Sequence, residues 1–78
     1  KEAFIPDITI GKGDTKTIDL SEYFFKTDVL VYTVSDAGVV EVSLKDSVMT
    51  VKGVGKGSAV IRITDGNQSV RTINVTVE

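Results

Sequence analysis

The side chains able to do chemistry are few. The chain of 78 residues contains no histidine and no cysteine. That removes the usual general base, the thiolate nucleophile and the zinc sites built from both. A disulfide framework is excluded on the same ground, while the compartment is left open. Carboxylates remain. Asp14, Asp36, Asp46 and Asp65 each lie in a stretch of turn-forming composition, where aspartate commonly bonds its own backbone. Turn formation is therefore their expected role, ahead of paired acid and base catalysis. Asp65 and Asn67 together offer two oxygen ligands to calcium, well short of the roughly six to eight that the ion takes. No metal site and no cofactor is expected.

Gly53, Gly55 and Gly57 invite a phosphate-cradle reading, because consecutive backbone N–H groups in glycine-rich turns can hold anions. The spacing fails. Aligned on Gly55-Lys56, the phosphate-loop pattern would need glycine at position 50 and Ser or Thr at position 57, where this chain has Thr50 and Gly57. A turn between two strands is the expected explanation. Lys12-Gly13-Asp14 resembles a short cell-attachment tripeptide, and a turn accounts for it equally well. Asn67-Gln68-Ser69 and Asn74-Val75-Thr76 satisfy the N-glycosylation acceptor pattern, which would carry no meaning if the chain were bacterial.

Composition sets the outer bounds. A hydrophobic fraction of 41% with 26% charged residues is that of a globular domain, and the length suits one. A folded chain of this size exposes on the order of 4,600 Å², and its core has no residues to spare for a deep active site. The net charge is -2 and the nine basic residues are scattered, against the clustered basic face that nucleic acid requires. No apolar run reaches the roughly eighteen residues of a membrane span, and no secretory leader pattern is present, so membrane insertion is not expected. The chain opens on Lys1-Glu2 without a methionine; the expectation is one domain, 1–78, taken from a longer multidomain protein.

The elements follow from period-two alternation, which lines one face of a strand. Strands are expected at 4–10, 15–20, 29–35, 39–45, 48–52, 58–64 and 69–77. Inward residues are Ile8, Ile10, Ile18, Leu20, Leu30, Tyr32, Val34, Val40, Val42, Leu44, Met49, Val51, Ala59, Ile61, Ile63, Ile73, Val75 and Val77. Pro6 confines the first strand to an edge or bulge, because proline has no N–H to donate. Asp19 or Ser21 caps one short helical turn, with Phe24 dropping into the core. The strands at 48–52 and 58–64 read as a hairpin across the glycines, and Asp65-Gly66-Asn67 as a tight turn. No connector is long enough for a crossover helix. The expected fold is all-β: a seven-stranded antiparallel sandwich.

The run Asp19-Leu20-Ser21-Glu22-Tyr23-Phe24, the segments 31–35 and 39–42, and above all 49–61 with its Gly53-Val54-Gly55-Lys56-Gly57-Ser58-Ala59 centre resemble bacterial immunoglobulin-like domains. The likeness is nearest to the group 2 type and to the related cadherin-like surface modules. It implies an immunoglobulin-like sandwich used as a spacer, stalk or adhesion unit, often in tandem repeats, in an extracellular or cell-surface protein. Such modules are also appended to secreted enzymes. Phe25-Lys26-Thr27-Asp28 stands where cadherin-like modules carry an aspartate-rich calcium loop, which puts calcium at that loop in doubt.

In that sandwich the third, sixth and seventh strands share a sheet. Its outer face would carry Val29, Val31, Val60 and Val70 beside Arg62. Isolated surface valines with high β propensity are the bland explanation; the sharper one is an interaction surface. The partners expected are neighbouring domains of the same chain, or a host or cell-surface protein or glycan. A non-catalytic structural or adhesion module is the first expectation. An accessory carbohydrate- or partner-binding module on a secreted enzyme is the alternative; such sites rely on aromatic platforms, and an exposed Phe25 beside Tyr23 would favour it.

Overall fold

In the computed structural model, residues 4–25, 27, 29–66 and 69–78 are described. Seven strands are formed: β1 (Ile8–Ile10), β2 (Thr15–Asp19), β3 (Val31–Val34), β4 (Val40–Lys45), β5 (Val48–Gly53), β6 (Gly57–Thr64) and β7 (Val70–Val77). One short 3-10 turn, Leu20–Glu22, follows β2. The strands divide into a four-stranded sheet ordered β1-β7-β6-β3 and a three-stranded sheet ordered β2-β5-β4. The inward residues of both sheets meet in one core. Leu20, Met49, Val51, Ile61, Ile63 and Ile73 are fully inaccessible there. Among the described residues no polar or charged residue is buried, so apolar burial carries the stability.

The alternation read from the sequence selects the inward rows correctly. β7 is the clearest case: Ile73, Val75 and Val77 are buried while Val70, Thr72, Asn74 and Thr76 are exposed. Val34, Val42 and Leu44 only lean against the core, because β3 and β4 are edge strands. The short turn also forms as expected. The Asp19 carboxylate accepts from the backbone N–H of Ser21 at 3.0 Å, and Phe24 is buried behind it.

Two expectations are corrected. The first is that every pairing is antiparallel: β1 runs parallel to β7, in the register Ile8↔Val75 to Ile10↔Val77, and the four-stranded sheet is mixed. After β1 the chain leaves for the other sheet through Gly11 to Asp14. No tight turn joins β1 to its neighbour, and only such a turn would force opposite directions. β1 is an edge strand, as expected, but it is shorter than the expected 4–10 and begins after Pro6.

The second correction concerns β5 and β6, which form no hairpin. β5 pairs with β2 and β4, β6 with β3 and β7, and the glycine-rich connector crosses from one sheet to the other. Instead of closing on each other, the connector's amides bond elsewhere. Val54 N and Gly55 N both donate to the carbonyl of Val39, at 2.8 and 3.2 Å. Period-two alternation names the buried face of a strand but not the sheet it belongs to.

The body measures 32 × 18 × 18 Å. Phe4 and Ile5 lie at one end, with Ile5 lining a groove with Glu22 and Tyr23. Glu78 lies at the other: its N–H donates to the Ile10 carbonyl at 2.9 Å, and its carbonyl accepts from Lys12 N at 3.1 Å. The described chain thus enters and leaves at opposite ends of the long axis, a direct result of the parallel β1–β7 pair.

Candidate functional site

β3, β6 and β7 share a sheet, and the outer face of that sheet carries the surface residues singled out from the sequence. Residues in register are neighbours across a sheet. One row holds Val31, Thr64 and Val70, and the next holds Thr33, Arg62 and Thr72. Val60 stands one row further, opposite Asn74. Val31 and Val70 therefore flank Thr64, with their Cα atoms roughly 10 Å apart, or two strand spacings. Val29 joins them from the loop before β3; a Cβ placed on Gly66 would sit 3.8 Å from a Val29 methyl. Val29 and Val31 are 59% and 53% exposed, and Val60 and Val70 are 40% exposed each.

The structure thus sets Val31 and Val70 on either side of Thr64, leaves Val29 beside Gly66 outside the paired rows, and sets Val60 apart behind the Arg62 row. A shallow depression of about 280 Å³ runs between Val31, Thr33, Arg62, Thr64 and Val70. With threonine at its centre and arginine along one side, the face suits contact with another surface better than enclosure of a small molecule, for which pockets are concave and largely apolar.

The aspartates are engaged in turns. Asp14 Oδ2 accepts from Gly11 N at 3.1 Å, and Asp36 Oδ1 accepts from Gly38 N at 2.9 Å. Asp46 takes φ 56° in the turn between β4 and β5, a backbone state that aspartate tolerates better than most residues. Asp65 stands at the β6–β7 turn, where its N–H donates to Ser69 O at 3.4 Å; Asn67, its proposed calcium co-ligand, lies outside the described residues, as do Lys26 and Asp28. Among the described residues no three carboxylates gather closely enough to hold a metal ion.

The connector glycines are occupied by the protein itself. A Cβ on Gly55 would fall 2.2 Å from the Gly38 carbonyl oxygen, and one on Gly53 would fall 2.8 Å from the Gly11 carbonyl oxygen. Carbonyl oxygens repel an anion, so close backbone approach is what these glycines serve. The Lys12-Gly13-Asp14 tip is tied back to the body, with Gly13 N donating to Gly53 O at 2.7 Å. Asn74, in the second acceptor pattern, donates from Nδ2 to Asp7 Oδ1 at 3.2 Å; Asn67, in the first, is outside the described residues.

Sequence reasoning passed over a residue that alternation places inward, Arg71, in phase with Ile73 and Val75. Arg71 occupies an inward row of β7, and its guanidinium lies 5.6 Å from the centre of the Phe24 ring, closing the entry end of the core with a cation–π contact. Phe25 and Phe4 are 84% and 86% exposed, whereas Tyr23 packs partly against the core. In comparisons with known proteins, no protein-family model matches the chain, and no curated protein is similar enough to count as a match.

Proposed function

We propose that the chain is a non-catalytic immunoglobulin-like module of a bacterial cell-surface or secreted protein, acting as a structural spacer or adhesion unit. One observation carries the reading: the chain enters and leaves at opposite ends of a body 32 Å long. A module so threaded adds length when it is repeated or placed between other domains. The exposed valines of the β3–β6–β7 face are the surface on which a neighbouring domain or a cell-surface partner would dock. The test is the protein that carries this chain. Similar modules on either side, together with labelling of intact cells by an impermeant antibody to the chain, support the reading. A strictly cytosolic location with no neighbouring modules removes it.

The second reading, an accessory carbohydrate- or partner-binding module, is favoured by one observation, the 84% exposure of Phe25. Exposed aromatic rings are the stacking surface that sugars use. Glycan-array binding that is lost in Phe25→Ala supports this reading, and an array without signal removes its carbohydrate form.

A further inference from the structure

We propose that the Asp65-Gly66 pair, in the turn after β6, is a self-modification site at which aspartate rearranges to isoaspartate through a cyclic imide, and that the Thr64 hydroxyl is the brake on the reaction. This chemistry does not depend on whether the module is a spacer.

The chain has seven aspartates, and six of them are followed by Ile8, Thr15, Leu20, Val29, Ala37 and Ser47. Only Asp65 precedes a glycine. Cyclisation requires the backbone nitrogen of the next residue to attack the aspartate side chain, and a Cβ on that residue crowds the approach. Gly66 has no Cβ, and its φ of +80° is one that glycine takes without steric cost. Gly66 is exposed and Asp65 is half-buried, so water reaches the pair.

The reaction needs no reagent but water. The Gly66 nitrogen bonds to Asp65 Cγ of the protonated acid, and the acid hydroxyl leaves as water with the amide proton. The product is a five-membered succinimide. A water molecule then opens the ring at one of its two carbonyls. Opening at Cγ restores aspartate. Opening at the Asp65 backbone carbon breaks its bond to the Gly66 nitrogen, so that the chain runs on through Cγ and the old backbone carbon becomes a free carboxylate. One water leaves and one enters, and nothing is oxidised or reduced.

The turn is built to slow the first step. The Gly66 N–H donates to Thr64 Oγ1 at 3.2 Å, the local bond by which a hydroxyl fixes the backbone two residues on. On the other side of Asp65, its own N–H donates to Ser69 O at 3.4 Å. To reach Cγ the Gly66 nitrogen must swing away from Thr64 and give up its proton, and either move ends the bond. The consequence falls on the outer face of the sheet. Thr64 lies in register with Val31 and Val70, so isoaspartate inserts an extra backbone atom directly beyond that row.

The test follows isoaspartate in purified protein held in warm buffer, by enzymatic methylation of the isoaspartyl carboxylate and by peptide mapping that locates it. Isoaspartate is expected at Asp65 ahead of every other aspartate. Thr64→Val, which removes the acceptor and suits a strand, is expected to accumulate it several-fold faster, whereas Thr64→Ser keeps the acceptor and should age like the parent. Circular dichroism checks that each variant is folded; should Thr64→Val fail to fold, Thr64→Ala takes its place. The parent unfolded in urea lacks the turn bond and is expected to isomerise faster than the native parent. Isoaspartate appearing first at another aspartate overturns the site. A Thr64→Val rate equal to that of the parent overturns the brake, as do equal rates in the native and unfolded parent.

Discussion

The hydroxyl of Tyr32 donates to the backbone carbonyl of Val42 at 3.1 Å, and in doing so joins the two sheets along an edge where no strand connects them. Tyr32 lies on β3, the outermost strand of one sheet, and Val42 on β4, the outermost strand of the other. The Val42 carbonyl points away from β5, so without the tyrosine only water would satisfy it. Tyr32→Phe keeps the ring and removes the bond. The expected loss is about 1 kcal/mol, the usual net value of such a bond, or a fall in Tm of roughly 4–8 °C for a domain this small. Urea unfolding of both proteins checks it, and a variant as stable as the parent shows that the bond is dispensable.

The connector glycines separate two kinds of steric cost. Gly55 has a carbonyl oxygen 2.2 Å from where a Cβ would stand, whereas Gly13 has nothing within 4 Å but takes φ +92°. Gly13→Ala should therefore cost about 1–2 kcal/mol through left-handed backbone strain alone. Gly55→Ala must displace the Gly38 backbone as well and should cost about 3 kcal/mol or more. Denaturant midpoints for the pair give the ranking directly. The reverse order would mean that the connector can move freely.

Core truncation should be severe. Ile61 lies at the middle of β6 and is fully inaccessible. Ile61→Val is expected to cost about 0.5–1.5 kcal/mol and Ile61→Ala about 2–5 kcal/mol. Total stability for a chain of this size is on the order of 4–12 kcal/mol, so Ile61→Ala lies near the limit at which the domain unfolds at 37 °C. Thermal melts read by circular dichroism distinguish the two variants.

The outer face should behave in the opposite way. Val31→Thr with Val60→Thr replaces exposed methyl groups on strands, where threonine is equally at home. Tm should stay within about 1–2 °C of the parent value, since surface changes of this kind stay within about 0.5 kcal/mol. Docking to a neighbouring module or partner should be abolished, as read by co-elution or calorimetry. Association that persists in the double variant removes the interaction surface.

Much of this fold was legible as alternation. Ile18, Met49, Val51, Ile61, Ile63 and Ile73 announce themselves as inward because a strand with one wet face must repeat every two residues. The Asp19 cap and buried Phe24 were legible for a local reason, since an N-cap acts within a few residues of itself. Sheet membership was not. Whether β5 closes on β6 or crosses away from it is decided by Val39, which receives the connector's amides from fifteen and sixteen residues away along the chain, and no local pattern encodes that contact. The direction of β1 was hidden likewise, because its partner lies at the far end of the chain. Of the candidate site, the exposure of Val29, Val31, Val60 and Val70 followed from their phase in the alternation. The gap between Val60 and the other three depends on register across strands, which the sequence does not display.

The pairing of the first strand with the last also governs how the molecule comes into being. Until β7 exists, β1 has no neighbour in its sheet, and β6 lacks its longest partner. Segments from both ends of the described chain must be present before the barrier to the native state can be crossed. Closure over so long a loop places folding in the slow range typical of β-rich domains, on the order of milliseconds to seconds. A chain shortened by its final eight or nine residues would be left with two unsatisfied strands and an open core.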